Sequence, residues 1–114
     1  MKKEIIYFSQ FSMLEPNSVE LLEGLKGRVN MNEIKDIQEH KVLNFWDKIK
    51  IIGVWDWKKK YNIKEEILDG HHWELKLRDR NGNAKHVEGY MSYPRKYKEL
   101  IKELNYLFDT NLDF

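Results

Sequence analysis

Asp69-Gly70-His71-His72-Trp73-Glu74-Leu75-Lys76-Leu77-Arg78, followed after Asp79-Arg80 by Asn81-Gly82-Asn83-Ala84-Lys85-His86-Val87-Glu88-Gly89-Tyr90-Met91, is the stretch that decides the fold. Trp73, Leu75 and Leu77 alternate with His72, Glu74, Lys76 and Arg78. Successive side chains of a strand point to opposite faces, so this alternation is a strand with one buried face. Asp69-Gly70 is a turn pair ahead of it, and Asn81-Gly82-Asn83 is a hairpin signal behind it. Strands are predicted over 71–79 and 85–92.

Side-chain chemistry selects a register. A two-residue turn at Asn81-Gly82 would set Leu77 against His86 and Leu75 against Glu88, mixing charge into the apolar face. A three-residue loop sets Leu77 against Val87, Leu75 against Gly89 and Trp73 against Met91. It also places Lys76 opposite Glu88 and His86 opposite Arg78. The second register keeps both faces consistent and gains an opposite-charge pair, so it is the expected one.

Beyond the hairpin, Tyr97, Leu100, Ile101, Leu104, Leu107 and Phe108 recur at helical spacing. Pro94 suits the first turn, which predicts a helix over 94–108. Upstream, Ile5-Ile6-Tyr7-Phe8 predicts a strand over 3–9. The Glu15-to-Ser18 turn signal precedes a second strand over 19–23, and a weaker third is read over 28–31. Asp36-Ile37-Gln38-Glu39 has capping-box spacing, and Val42, Phe45, Trp46, Ile49 and Ile52 form an apolar stripe. A helix over 37–51, closed by Gly53, follows. The segment 54–61 reads equally as a short helix or an extended connector. The expected fold class is α+β, an antiparallel sheet of four to five strands with two helices on one face, in the order β-β-(β)-α-β-β-α.

The chain of 114 residues fits a single domain over 1–114, with 41% apolar and 34% charged residues. A net charge of +1 excludes the strong global field of a dedicated DNA-binding protein. With no cysteine there is no disulfide, no thiolate nucleophile and no Cys-containing zinc site. The start, Met1-Lys2-Lys3-Glu4-Ile5, has no long apolar core of a signal peptide, and no apolar run approaches membrane-spanning length. The expected location is cytoplasmic, with no membrane partner. Lysine far outnumbers arginine and Ala84 is the single alanine, a bias of AT-rich genomes.

Three segments, Trp57-Lys58-Lys59-Lys60-Tyr61, Asp69-Gly70-His71-His72-Trp73-Glu74-Leu75 and Gly89-Tyr90-Met91-Ser92-Tyr93-Pro94, carry a resemblance. Their W-x3-Y…DGxxWxL…GxxxYP pattern resembles a group of small uncharacterised α+β proteins of Gram-positive bacteria and their mobile elements. The resemblance spans about residues 54–108. It implies the hairpin-then-helix arrangement and brings no catalytic or binding residue.

Chemistry is sparse in the sequence. Adjacent His71 and His72 point to opposite faces of a strand, and neither HExxH nor His-x-His occurs, so no metal and no cofactor is expected. No serine lies in a nucleophile elbow, and no glycine loop is built for phosphate. An enzyme would need a concave pocket gathering at least two of His71, His72, His86 and Asp69 beside a bound ligand; no catalytic residue is assigned. Trp55, Trp57, Lys58, Lys59, Lys60 and Tyr61 interleave aromatics with a lysine triplet, a pattern that suits single-stranded nucleic acid. Aromatic side chains are equally favoured as interface anchors; Trp46, Trp55 and outward-pointing Tyr90 are the ones to follow. The leading expectation is a non-enzymatic protein–protein interaction module, of inhibitor or immunity type from a mobile element. The alternative is a weak RNA or single-stranded DNA binder using Trp55 to Tyr61. An open sheet edge offers a route to a homodimer.

Overall fold

The computed structural model describes residues 3–12, 14–62 and 70–112. The elements are β1 (Lys3–Phe11), β2 (Asn17–Leu22), β3 (Lys26–Val29), β4 (Lys35–Asp36), α1 (Glu39–Ile52), a single 3-10 turn (Val54–Asp56), β5 (Lys60–Asn62), β6 (His71–Arg78), β7 (Ala84–Tyr90) and α2 (Tyr97–Phe108). The strands form one seven-stranded sheet in the order β4-β3-β2-β1-β6-β7-β5. The described residues are therefore α+β with two helices, but the sheet is larger than the expected four to five strands and is mixed. β5 runs parallel to β7, whereas the other neighbours are antiparallel.

Alternation builds the core. Ile5, Tyr7 and Ser9 of β1, Val19 and Leu21 of β2, Trp73, Leu75 and Leu77 of β6 and Val87 of β7 are buried on one face. All but Ser9 join Val42, Phe45 and Ile49 of α1 and the whole predicted stripe of α2 in a single cluster. Tyr7 and Tyr97 bond through their hydroxyls inside it, and burial pushes both phenols above their usual range. Gly53 closes α1 as expected, in the left-handed conformation at φ +87°, with its N–H donated to Ile49 O and Lys50 O.

Asp36 does not cap α1. The helix starts at Glu39 after Gln38, which makes no side-chain cap, and Asp36 lies in β4 paired with Lys26. The cause is Ile37: it is buried against Gly27, and its N–H donates to Leu25 O at 2.9 Å, which holds the chain extended. α2 likewise starts at Tyr97, not Pro94, because Lys96 is left-handed at φ +69°.

The hairpin has a different register from the expected one. Trp73 faces Gly89, Leu75 faces Val87, Leu77 faces Lys85, Lys76 faces His86 and Glu74 faces Glu88. The Asp79 N–H donates to Asn83 O at 2.9 Å, so the three loop residues are Arg80, Asn81 and Gly82. Asp79 sets this placement. Its carboxylate accepts the Asn81 N–H at 2.9 Å and the Asn83 N–H and side-chain amide at 2.8 and 2.9 Å, an Asx-type turn. Gly82 supplies the left-handed residue at φ +88°. The displacement is two residues, so every side chain keeps its expected face while its partner changes. Met91 lies beyond β7 at φ +53°, and its sulfur accepts the His71 N–H. Asp69, half of the turn pair ahead of β6, lies outside the described residues.

The motif glycines are close-contact positions. A Cβ on Gly70 would come within 2.3 Å of the Tyr90 ring, and one on Gly89 within 2.2 Å of Trp73 Nε1. The Trp73 indole thus lies across Gly89 of the neighbouring strand, and its Nε1–H donates to Ser92 O at 3.0 Å. Signature residues distant in sequence pack on one another.

Candidate interaction face

The even-numbered residues of β1, β6 and β7 stand on the sheet face opposite the core, partly buried or exposed. Ladder pairing sorts them into rows across the strands. Gln10, His72, Tyr90 and Asn62 make one row, and Phe8, Glu74, Glu88 and Lys60 make the next. Ile6, Lys76 and His86 make a third. The His72 and Tyr90 rings stack at 4.4 Å between centroids, inclined by 27°. Phe8, Gln10, Asn62, His72, Glu74, Glu88 and Tyr90 line a shallow depression of about 530 Å³ over the first two rows.

The electrostatics of this face are mixed. His86 Nε2 lies 2.7 Å from Glu74 Oε2, and Lys60 Nζ lies 3.6 Å from Glu88 Oε1. Two glutamates therefore stand directly opposite each other in the ladder, with an imidazole and an ammonium beside them. Alternation alone placed Tyr90 and His72 outward. Glu74, His86 and Glu88 were not legible as a group, because the expected register set Lys76, not Glu74, against Glu88. His86 is likewise opposite Lys76 and not Arg78.

The Trp55-to-Tyr61 segment is divided among several environments. Trp57 is buried in the core, and its carbonyl accepts a hydrogen bond from Lys85 Nζ. Tyr61 is half-buried, with its ring 6.1 Å from that of Trp73 and its hydroxyl accepting the Lys58 N–H at 2.9 Å. Trp55 is half-buried and stacks on Trp46 with rings 6.2 Å apart. Lys58, Lys59 and Lys60 are exposed. Trp55, Lys59 and Lys60 share a groove of about 510 Å³ with Ala84, Lys85, His86 and Glu88, and Glu88 also lines the depression that Tyr90 lines. His72 and His86 line different concavities, and His71 faces the core side.

Behind the stacked pair, His71 is buried at the end of β6, with Nδ1 2.7 Å from the Tyr93 hydroxyl and its ring stacked on Phe11. Burial, helped by neighbouring His72, holds its pKa below the usual histidine value of 6.5. A depressed folded-state pKa means the unfolded chain binds the proton first. Stability contributed by neutral His71 is thus complete above about pH 6.5 and lost as pH falls from there through the folded-state value. Urea midpoints measured from pH 7.5 to 5 are expected to fall over this window, and to fall less in His71→Gln. An equal fall in the variant would remove His71 from the account. Asp79 acts at lower pH. Against the upward push of desolvation, the hydrogen bonds of Asn83 and Asn81 hold its carboxyl below the ordinary range.

No helix among the described residues is long and apolar enough to cross a membrane. Comparison of the chain with models of protein families, with curated proteins and with solved structures gave no match in any of the three.

Proposed function

We propose that this chain is a non-enzymatic protein-interaction module, of the inhibitor or immunity type found on mobile elements, and that it binds through the open face of its sheet. The observation that carries this reading is the Phe8, His72 and Tyr90 group in a shallow depression on the face away from the core. Aromatic anchors in a pocket with a polar rim are the usual energetic centre of a protein interface. The occupant is a partner protein that lays an apolar or aromatic side chain against these rings, with Gln10, Asn62 and the glutamates as rim.

Charge and burial favour this over nucleic acid. Glu74 and Glu88 stand in the same depression as the rings and oppose phosphate. Trp57 and Tyr61, which the alternative would stack on bases, are already packed. Self-pairing through a sheet edge has less support, because the terminal strands β4 and β5 are two and three residues long and each carries a lysine.

The test uses His72→Glu, an exposed position where the fold should tolerate charge, and Tyr90→Ala as a second variant. A bacterial protein captured by the wild type and reconstituted from purified components should lose at least tenfold in affinity with either variant, about 1.4 kcal/mol. Undiminished binding by both variants would move the interface elsewhere. Saturable binding of a labelled single-stranded oligonucleotide at 50 mM salt, with no protein partner, would replace the reading with the nucleic-acid one.

A further inference from the structure

We infer that Glu74, His86 and Glu88 form a three-ligand site for a divalent transition metal of the zinc class on the open sheet face. The strand geometry supplies the arrangement. His86 and Glu88 are two residues apart on β7 and so share a face, and Glu74 of β6 stands directly opposite Glu88. One ligand atom from each lies within 4.8 Å of the other two, and His86 Nε2 is already 2.7 Å from Glu74 Oε2. Metal–ligand distances of about 2.0–2.2 Å put the ligands of a tetrahedral ion about 3.2–3.6 Å apart, within reach of carboxylate rotation alone.

The electrostatics point the same way. Two carboxylates facing each other across a ladder are mutually repulsive. Lys60 is a single charge on an exposed side chain 3.6 Å from one of them, whereas a divalent ion between the two would satisfy both. An imidazole with two carboxylates is a nitrogen–oxygen set that suits zinc or its first-row neighbours; magnesium prefers oxygen alone. Three protein ligands leave at least one coordination position for water or for a donor from elsewhere. The alternative arrangement is a metal-free cluster, in which the His86–Glu74 contact and Lys60 balance the glutamates. The ion would bind whether or not the face docks a protein.

The experiment is a zinc titration of the full chain in competition with a chromophoric chelator, with the histidine ring protons followed by NMR. One zinc per chain is expected, with the His86 signals the most displaced. His86→Ala and Glu88→Gln should each weaken binding at least tenfold, and Glu74→Gln should do the same. His40→Ala, at the start of α1, should leave it unchanged. His40 and His86 are exposed and the two glutamates are half-buried on the open face, away from the core, so circular dichroism should show the fold intact. Absence of one-to-one binding, or equal binding by wild type and His86→Ala, overturns the site. Equal weakening by His40→Ala and His86→Ala also overturns it, since that is the behaviour of surface imidazoles in general.

Discussion

Trp73→Ala is expected to remove about 3–5 kcal/mol of stability, a large part of the 5–15 kcal/mol that holds a domain of ordinary size together. The indole is only 2% exposed and is surrounded by the rings of Tyr61, Tyr93 and Tyr97, the last with its centroid 4.9 Å away. Its removal opens a cavity that these stiff neighbours cannot fill, and it takes the Nε1–H donor from Ser92 O. With a urea slope of about 1–3 kcal/mol per molar, the midpoint should fall by roughly 2 M. A loss under about 1 kcal/mol would mean that the rings collapse into the space, and the packing argument would fail.

Gly89→Ala should cost about 1–3 kcal/mol for the opposite reason. The new Cβ would lie 2.2 Å from Trp73 Nε1. Gly89 does not have a positive φ, so its backbone would accept alanine; the cost is steric. The indole cannot step aside, because Tyr93 and Tyr97 lie against it. The cost should therefore disappear once the indole has gone. In a Trp73→Ala background the same substitution should be neutral, or gain a few tenths of a kcal/mol from replacing a strand glycine. A double-mutant cycle measures this coupling directly, and additive effects would show that the two residues do not meet.

These contacts explain which parts of the fold were legible. Strict alternation in β6 and helical spacing in α2 are properties of short windows, and every residue read as inward there is buried. Register is not local in the same sense. It depends on where Asp79 folds its own carboxylate onto Asn81 and Asn83, a choice that Asn81-Gly82 alone does not reveal. β4 and β5 were missed because two or three residues carry no period, and each joins the sheet only where another strand offers an edge. The Asp36 signal misled because Ile37 gains more from the core than Asp36 gains from a cap. At the site, alternation found Tyr90 and its outward direction. The grouping of Glu74, His86 and Glu88 waited on the register. In Trp55 to Tyr61, composition described a basic-aromatic surface, but long-range packing took Trp57 inward.

β1 lies at the centre of the sheet, between β2 and β6. Its first partner is a short hairpin away, whereas its second joins Ile5 to Leu77 across most of the chain. During synthesis, then, β1 to β4 can assemble early while the β6-facing edge of β1, in the strand that carries Ile5 and Tyr7 on its core face, waits for β6 to emerge. Contacts of such long sequence separation form slowly. Until they form, an apolar strand edge is open to other copies of the chain, so refolding yield should fall as protein concentration rises. The strand that organises the finished sheet is also the one most exposed to mispairing on the way to it.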